Sequence, residues 1–209
     1  LWNKSYNYSD FVIAKKTKMN SSGVYIIAEL SANHNNDFKL AEKTIHAMKL
    51  AGADAVKFQT YTADSLSLDL HNEYFGPLKT GLWKGIRPYD LYKEASMPWE
   101  WQKALSEYAI SIGLGWLSSP FDFPAVDFLE ELNIPAYKIA SLEITDIPLI
   151  EYVASKGKPV IISTGAANVE DIEAAIDACK RMENNEISLL KCTSQYPAPI
   201  DAANLNTIP

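Results

Sequence analysis

The chain has 209 residues, 47% hydrophobic and 22% charged, with a net charge of −7. That balance suits a folded chain with a large core and argues against nucleic acid as a main partner, since no basic stripe interleaved with aromatics occurs. No apolar run approaches the roughly 18 residues needed to span a bilayer, and the start lacks the pattern of a secretory signal.

These features predict a cytoplasmic protein. Its two cysteines, Cys179 and Cys192, sit in no metal-spaced motif and are expected as reduced thiols. The chain opens at Leu1 and stops at Pro209 just after a motif, so a piece of a longer protein is expected.

Residues 1–23 read as an N-terminal β-hairpin cap. Phe11 to Ala14 is strand-like, and Asn20-Ser21-Ser22-Gly23 has turn chemistry. A repeating unit follows. Val24 to Ala28 is an apolar strand ending at Glu29, and Asp37 caps a helix with Phe38, Ala41, Ile45 and Met48 at helical spacing. Ala53 to Val56 is the next strand, ending at Lys57-Phe58-Gln59. A long excursion over 61–97 then separates it from a helix opened by Ser96 and Pro98, with Trp101, Leu105, Tyr108 and Ile112 on one face. So long a loop between a strand and its helix tends to be functional.

Leu114 to Leu117 is a strand ending at Ser118-Ser119-Pro120-Phe121, and Asp122 and Pro124 start a helix with Ala125, Phe128, Leu129 and Leu132 inward. Ala136 to Ile139 is a short buried strand carrying Lys138, followed by Ser141, Glu143 and a helix capped by Asp146. Pro159 to Ile162 ends at Ser163-Thr164-Gly165. Asn168 caps a helix with Val169, Ile172, Ile176 and Cys179 on its stripe. Ile187 to Leu190 leads into Lys191-Cys192-Thr193-Ser194-Gln195-Tyr196-Pro197.

Strands that are apolar without alternation belong to a parallel sheet covered on both faces. A (β/α)8 TIM-type barrel and a doubly wound sheet both fit. The barrel is favoured because polar residues follow every strand, where barrel enzymes keep their sites, and no Gly-rich phosphate turn follows the first strand. Six strands do not close such a barrel, so residues 24–209 are expected to be its first six β/α units, with two more beyond Pro209.

The strand ends collect Glu29; Lys57 and Gln59; Ser119; Lys138, Ser141 and Glu143; Ser163; and Ser194 with Tyr196. A lysine inside an apolar strand must meet an anion or a reacting carbonyl. Two lysines and several serines on one rim would suit a small anion with a phosphate and a carboxylate. The Ser163-Thr164-Gly165 turn would add helix-terminal donors, and Glu29 and Glu143 would hold hydroxyls or move protons. His34 falls on the same rim, where a polar role is expected. No three-ligand metal set is visible.

Ile27-Ala28-Glu29-Leu30-Ser31-Ala32-Asn33-His34, Ala51 to Thr60, Ser119-Pro120-Phe121, Tyr137-Lys138-Ile139-Ala140-Ser141, Ser163-Thr164-Gly165 and Lys191 to Pro197 resemble the sialic acid synthase family. The likeness runs from about Val24 to Pro209. The segments Leu82-Trp83-Lys84-Gly85, Tyr89 to Ala95 and Pro98-Trp99-Glu100-Trp101 look most like pseudaminic acid synthases.

The resemblance implies condensation of phosphoenolpyruvate with an acylated amino-sugar aldehyde to a nine-carbon 2-keto acid, with loss of phosphate. A divalent metal, Mn2+ or Mg2+, would polarise the aldehyde. By matching position, Lys57, Ser119, Lys138, Ser141, Ser163 and Ser194 would bind phosphoenolpyruvate. Gln59, Phe121, Glu143 and Tyr196 would face the sugar, and Glu29 would serve as the acid–base group. Glu29, Lys57 and Lys138 are thus the catalytic candidates.

Ser194 stands where neuraminate synthases carry asparagine, and Trp83 falls near their sugar-binding asparagine. Both argue against N-acetylmannosamine as the substrate, and a deoxygenated sugar would suit the apolar Trp83 better. The metal-ligand histidines and an antifreeze-like domain would lie after Pro209, in a homodimer. Two rival readings are a Schiff-base aldolase using Lys57 or Lys138 and a non-catalytic barrel binding a sugar or phosphate.

Overall fold

A computed structural model describes residues 23–195 and 198–208. The hairpin expected over 1–23 lies, apart from Gly23, outside the described residues, and so does Tyr196. The chain divides into two compact units that meet in sequence at Ala125 and Val126.

The first unit holds β1 (Ile27–Glu29), α1 (Phe38–Leu50), β2 (Ala55–Thr60), α2 (Ala63–Leu66), α3 (Pro88–Ala95), α4 (Trp99–Ser111) and β3 (Gly115–Pro120). Strands β1, β2 and β3 pair in parallel in chain order, with Glu29 level with Lys57, and Gln59 level with Ser119. The helix α5 (Phe123–Glu131) follows. The second unit holds β4 (Tyr137–Ile139), a 3-10 turn (Ser141–Thr145), α6 (Ile147–Ala154), β5 (Val160–Ser163), α7 (Val169–Arg181) and β6 (Ile187–Leu190). Its strands also pair in parallel and in order, and short 3-10 turns follow at Ile200–Ala203 and Leu205–Thr207. Neither unit shows the reversal of strand order that marks a doubly wound sheet. The repeat is that of a TIM-type barrel through its sixth strand.

Local chemistry accounts for the helix starts. The Asp37 side chain accepts from the amides of Lys39 and Leu40, and Asp146 accepts from Leu149. Asn168 and Asp171 form a reciprocal capping box, and Asp122 Oδ1 takes the Ala125 amide at 2.7 Å. Every residue of β5 is buried, as are residues 116–120 of β3, as expected of strands covered on both faces, and their first parts read as apolar runs. Ile45, Leu105, Leu129 and Ile150 are fully buried beneath them, each stabilising the fold by about 1.5–3 kcal/mol.

Three expectations shift. The strands run further toward their C-terminal ends than the apolar runs do: Lys57, Gln59, Ser118, Ser119 and Ser163 lie inside strands rather than after them. The excursion over 61–97 carries α2 and α3. The buried stripe of α4 is Gln102, Leu105, Ser106 and Ala109, one residue round from the expected face. The cause is a buried polar knot: Thr60 Oγ1 donates to Gln102 Oε1 at 2.8 Å and lies 2.7 Å from Ser118 Oγ.

Candidate functional site

Strand parity decides which side chains of the first unit share a face. Successive residues of a strand alternate sides, and register partners in a parallel pair point the same way. Phe58, Thr60, Trp116 and Ser118 therefore take the helix-packed face, where Thr60 and Ser118 meet Gln102. Lys57, Gln59 and Ser119 take the other. There Lys57 Nζ donates to Glu29 Oε1 at 2.5 Å, and Gln59 Nε2 donates to the same oxygen at 3.1 Å. Glu29 is 40% exposed and Lys57 13%, so the carboxylate reaches solvent while the ammonium is largely sheltered. Ser119 is buried, and its Oγ has no hydrogen-bond partner among the described residues. Orphan buried hydroxyls are rare, and one at a strand end is poised for a ligand.

The end of this unit is packed with aromatic rings. Phe121 sits edge-on to Tyr61 with ring centres 5.4 Å apart, and Tyr61 meets Tyr92 at 6.4 Å. Trp99 Nε1 donates to the Tyr61 carbonyl at 3.2 Å, and burial pushes the Tyr61 phenol up to about 12. Trp83, further along the excursion, is 46% exposed.

His34, expected on this rim in a polar role, is buried against the edge of Trp101, and its Nδ1 accepts from the Asn36 amide at 3.1 Å. Burial holds the imidazole below its ordinary value, with the Ala95 backbone pulling the other way. With Asn36 Nδ2 donating to the Glu94 carbonyl, the Ser-Ala-Asn-His-Asn-Asn loop pins the end of α3.

In the second unit, Lys138 is 5% exposed, and its Nζ donates to Ser163 Oγ and the Ile139 carbonyl, each at 2.5 Å. Ser163 Oγ also receives the Cys192 thiol at 3.3 Å. The Gly165 amide donates to Ser141 Oγ at 3.3 Å, and the Ser194 hydroxyl also lies close to Gly165. The structure thus gathers Lys138, Ser141, Ser163 and Ser194 into one cluster. Sequence reading missed Cys192 and Gly165 as its fillers, although both stood inside the motifs singled out.

Glu143 follows on the 3-10 turn. Burial pushes its carboxyl above the ordinary range, its own backbone amide and the Lys138 charge pull it down, and Asp146 pushes it up. Its Oε2 is buried without a partner. Of the Ser163-Thr164-Gly165 turn, the Gly165 amide donates within this cluster, while at the α7 N-terminus Asn168 and Asp171 cap each other, with Glu170 and Asp171 in the first turn. Lys191 turns away to Thr193 Oγ1 and the Ala202 carbonyl, both at 3.0 Å.

Among the described residues no group of three His, Cys, Asp or Glu side chains could hold a metal ion. No helix among them is long and apolar enough to cross a membrane. Both cysteines are free thiols.

Six parallel strands, each leading into a helix where the chain continues far enough, with lysine, serine and glutamate at their ends, define a TIM-type β/α-barrel chain. Residues 44–209 match the NeuB family, and the chain belongs to it. It is 48% identical over 180 residues to the pseudaminic acid synthase of Helicobacter pylori, covering 86% of this chain and 53% of that protein. It is 39% identical over 197 residues to the N,N'-diacetyllegionaminic acid synthase of Legionella pneumophila, covering 92% and 55% respectively. The crystal structure of an N-acetylneuraminic acid synthetase from Leptospira borgpetersenii, in complex with citrate, superposes with a TM-score of 0.74 at 34% identity, over 88% of this chain and 59% of that one. The chain spans about half the length of the curated relatives it matches.

Proposed function

We propose that the full-length protein condenses phosphoenolpyruvate with a 2,4-diacetamido-trideoxy hexose, or a similar N-acetyl amino sugar, to pseudaminic acid or a related nonulosonic acid. The observation that carries this reading is the buried Lys138 with Ser141, Ser163 and Ser194 gathered about it, in a chain of the NeuB family. An ammonium set among hydroxyls suits a phosphate and a carboxylate on one small molecule. The Leptospira relative was crystallised with citrate, itself a small polyanion.

In this reading Lys57, Ser119, Lys138, Ser141, Ser163 and Ser194 bind phosphoenolpyruvate, while Gln59, Phe121, Glu143 and Tyr196 face the sugar. Ser119 supplies its unpartnered hydroxyl. Carbon 3 of phosphoenolpyruvate attacks the open-chain aldehyde, whose oxygen takes up a proton. Water adds at carbon 2, and the tetrahedral intermediate expels inorganic phosphate by C–O cleavage. Glu29, held between Lys57 and Gln59, is oriented to move the proton.

A divalent metal on the aldehyde finds no ligand set among the described residues. We place residues 24–209 as the first six units of the barrel and the protein in the cytoplasm as a homodimer, in keeping with its free thiols.

The Schiff-base alternative fits less well. Lys57 is engaged as a cation with Glu29, whereas a nucleophilic lysine must be a neutral amine. Full-length protein given phosphoenolpyruvate and the altrose-derived amino sugar should release phosphate stoichiometrically with product, and faster than with the mannose-derived sugar. Borohydride trapping of a pyruvate adduct in place of phosphate release would defeat the proposal.

A further inference from the structure

Gly165 occupies the point where the segments after β4, β5 and β6 come together. Its φ is not in the left-handed region, so the need for glycine there is not one of backbone handedness. Space is what it lacks. A methyl group on its Cα would fall inside the contact radius of Ser194 Oγ and only 3.0 Å from both Ser141 Oγ and Cys192 Cβ. Ser194 Oγ lies at the end of an exposed side chain that can swing away. Cys192 Cβ is tied to the backbone and can yield only if the chain after β6 moves. The third neighbour, Ser141, accepts the Gly165 amide itself.

The segments after β4, β5 and β6 crowd together at Gly165, and a Cβ there would fill the space that the Ser141 and Ser194 hydroxyls approach. We propose that Gly165 is a positioning residue. Its missing side chain lets the Ser141 and Ser194 hydroxyls close on the space a Cβ would fill, within the cluster that Lys138 and Ser163 anchor. This rests on the phosphoenolpyruvate reading above.

The test is Gly165→Ala in the full-length enzyme, beside Lys138→Met. The added methyl narrows the unfolded ensemble but crowds Cys192 Cβ and Ser194 Oγ in the folded state; the two effects oppose each other, and the melting temperature should shift only modestly. KM for phosphoenolpyruvate should rise at least tenfold, while kcat at saturation and KM for the sugar change less than threefold. If Lys138→Met raises that KM but Gly165→Ala does not, the inference about Gly165 fails and the substrate reading stands. If neither variant moves it, the substrate reading itself fails. Should Gly165→Ala lower the melting temperature, the pair Gly165→Ala with Ser194→Gly removes the nearest obstructing atom. That pair should regain the melting temperature and show the KM of Ser194→Gly alone. Strictly additive effects would overturn the proposal.

Discussion

Lys138→Met is the sharpest probe of the second-unit cluster. Methionine keeps most of the unbranched stem that fills the interior and removes only the ammonium. Lys138 is 5% exposed, so its charge works in a sheltered setting, where a hydrogen bond to a charged group contributes about 1.5–3 kcal/mol. At about 1.4 kcal/mol per decade, binding of phosphoenolpyruvate should weaken roughly 10- to 150-fold.

The same change removes the donor at 2.5 Å that orients Ser163 Oγ. Ser163→Ala should therefore cost less in the Lys138→Met background than in the parent, a coupling that a double-mutant cycle reads directly. The assay is phosphate release at varied phosphoenolpyruvate, with intact fold checked by thermal melting. A KM within twofold of the parent, in a folded variant, would refute the assignment of Lys138 to the anion.

Four further outcomes are expected. Asp122→Ala removes both the cap on the Ala125 amide and the 2.5 Å acceptor for Ser65, and should lower stability by about 0.5–2 kcal/mol in denaturant melts. Glu143→Gln should leave stability unchanged below pH 4.5, the carboxyl's ordinary value, because both chains are then neutral there. As pH rises through the raised native value the parent must ionise a sheltered carboxyl, so the variant should become progressively the more stable, as thermal melts across pH would record. Cys179 is buried, with its thiol pushed up to about 11, whereas Cys192 is partly exposed beside Ser163; a maleimide should label Cys192 first by peptide mapping, and phosphoenolpyruvate should slow it. Arg87 forks to Asp90 and reaches Asp69, which ties α3 to the chain after α2; Arg87→Lys loses the paired geometry, and limited proteolysis within 61–97 should quicken.

The helix starts at Asp37, Asp146 and Asn168, the order of the six strands and the lysines and serines near their ends were legible in the sequence. Capping, hydrophobic period and strand run-length act over a few residues. Strand ends were read too early because β2, β3 and β5 continue through polar residues. Ser118 in β3 is paired with Thr60 of β2, which in turn donates to Gln102 of α4, a chain of partners no local pattern reveals. His34 looked like a rim residue by position, yet Trp101 covers it from the helix face. Only tertiary structure set Glu29 between Lys57 and Gln59, left Ser119 Oγ without a partner, and brought Ser141, Cys192 and Ser194 around Gly165. Composition fixes which side chains are present. Side-chain parity and strand register, which depend on how distant segments pair, fix which of them face one another.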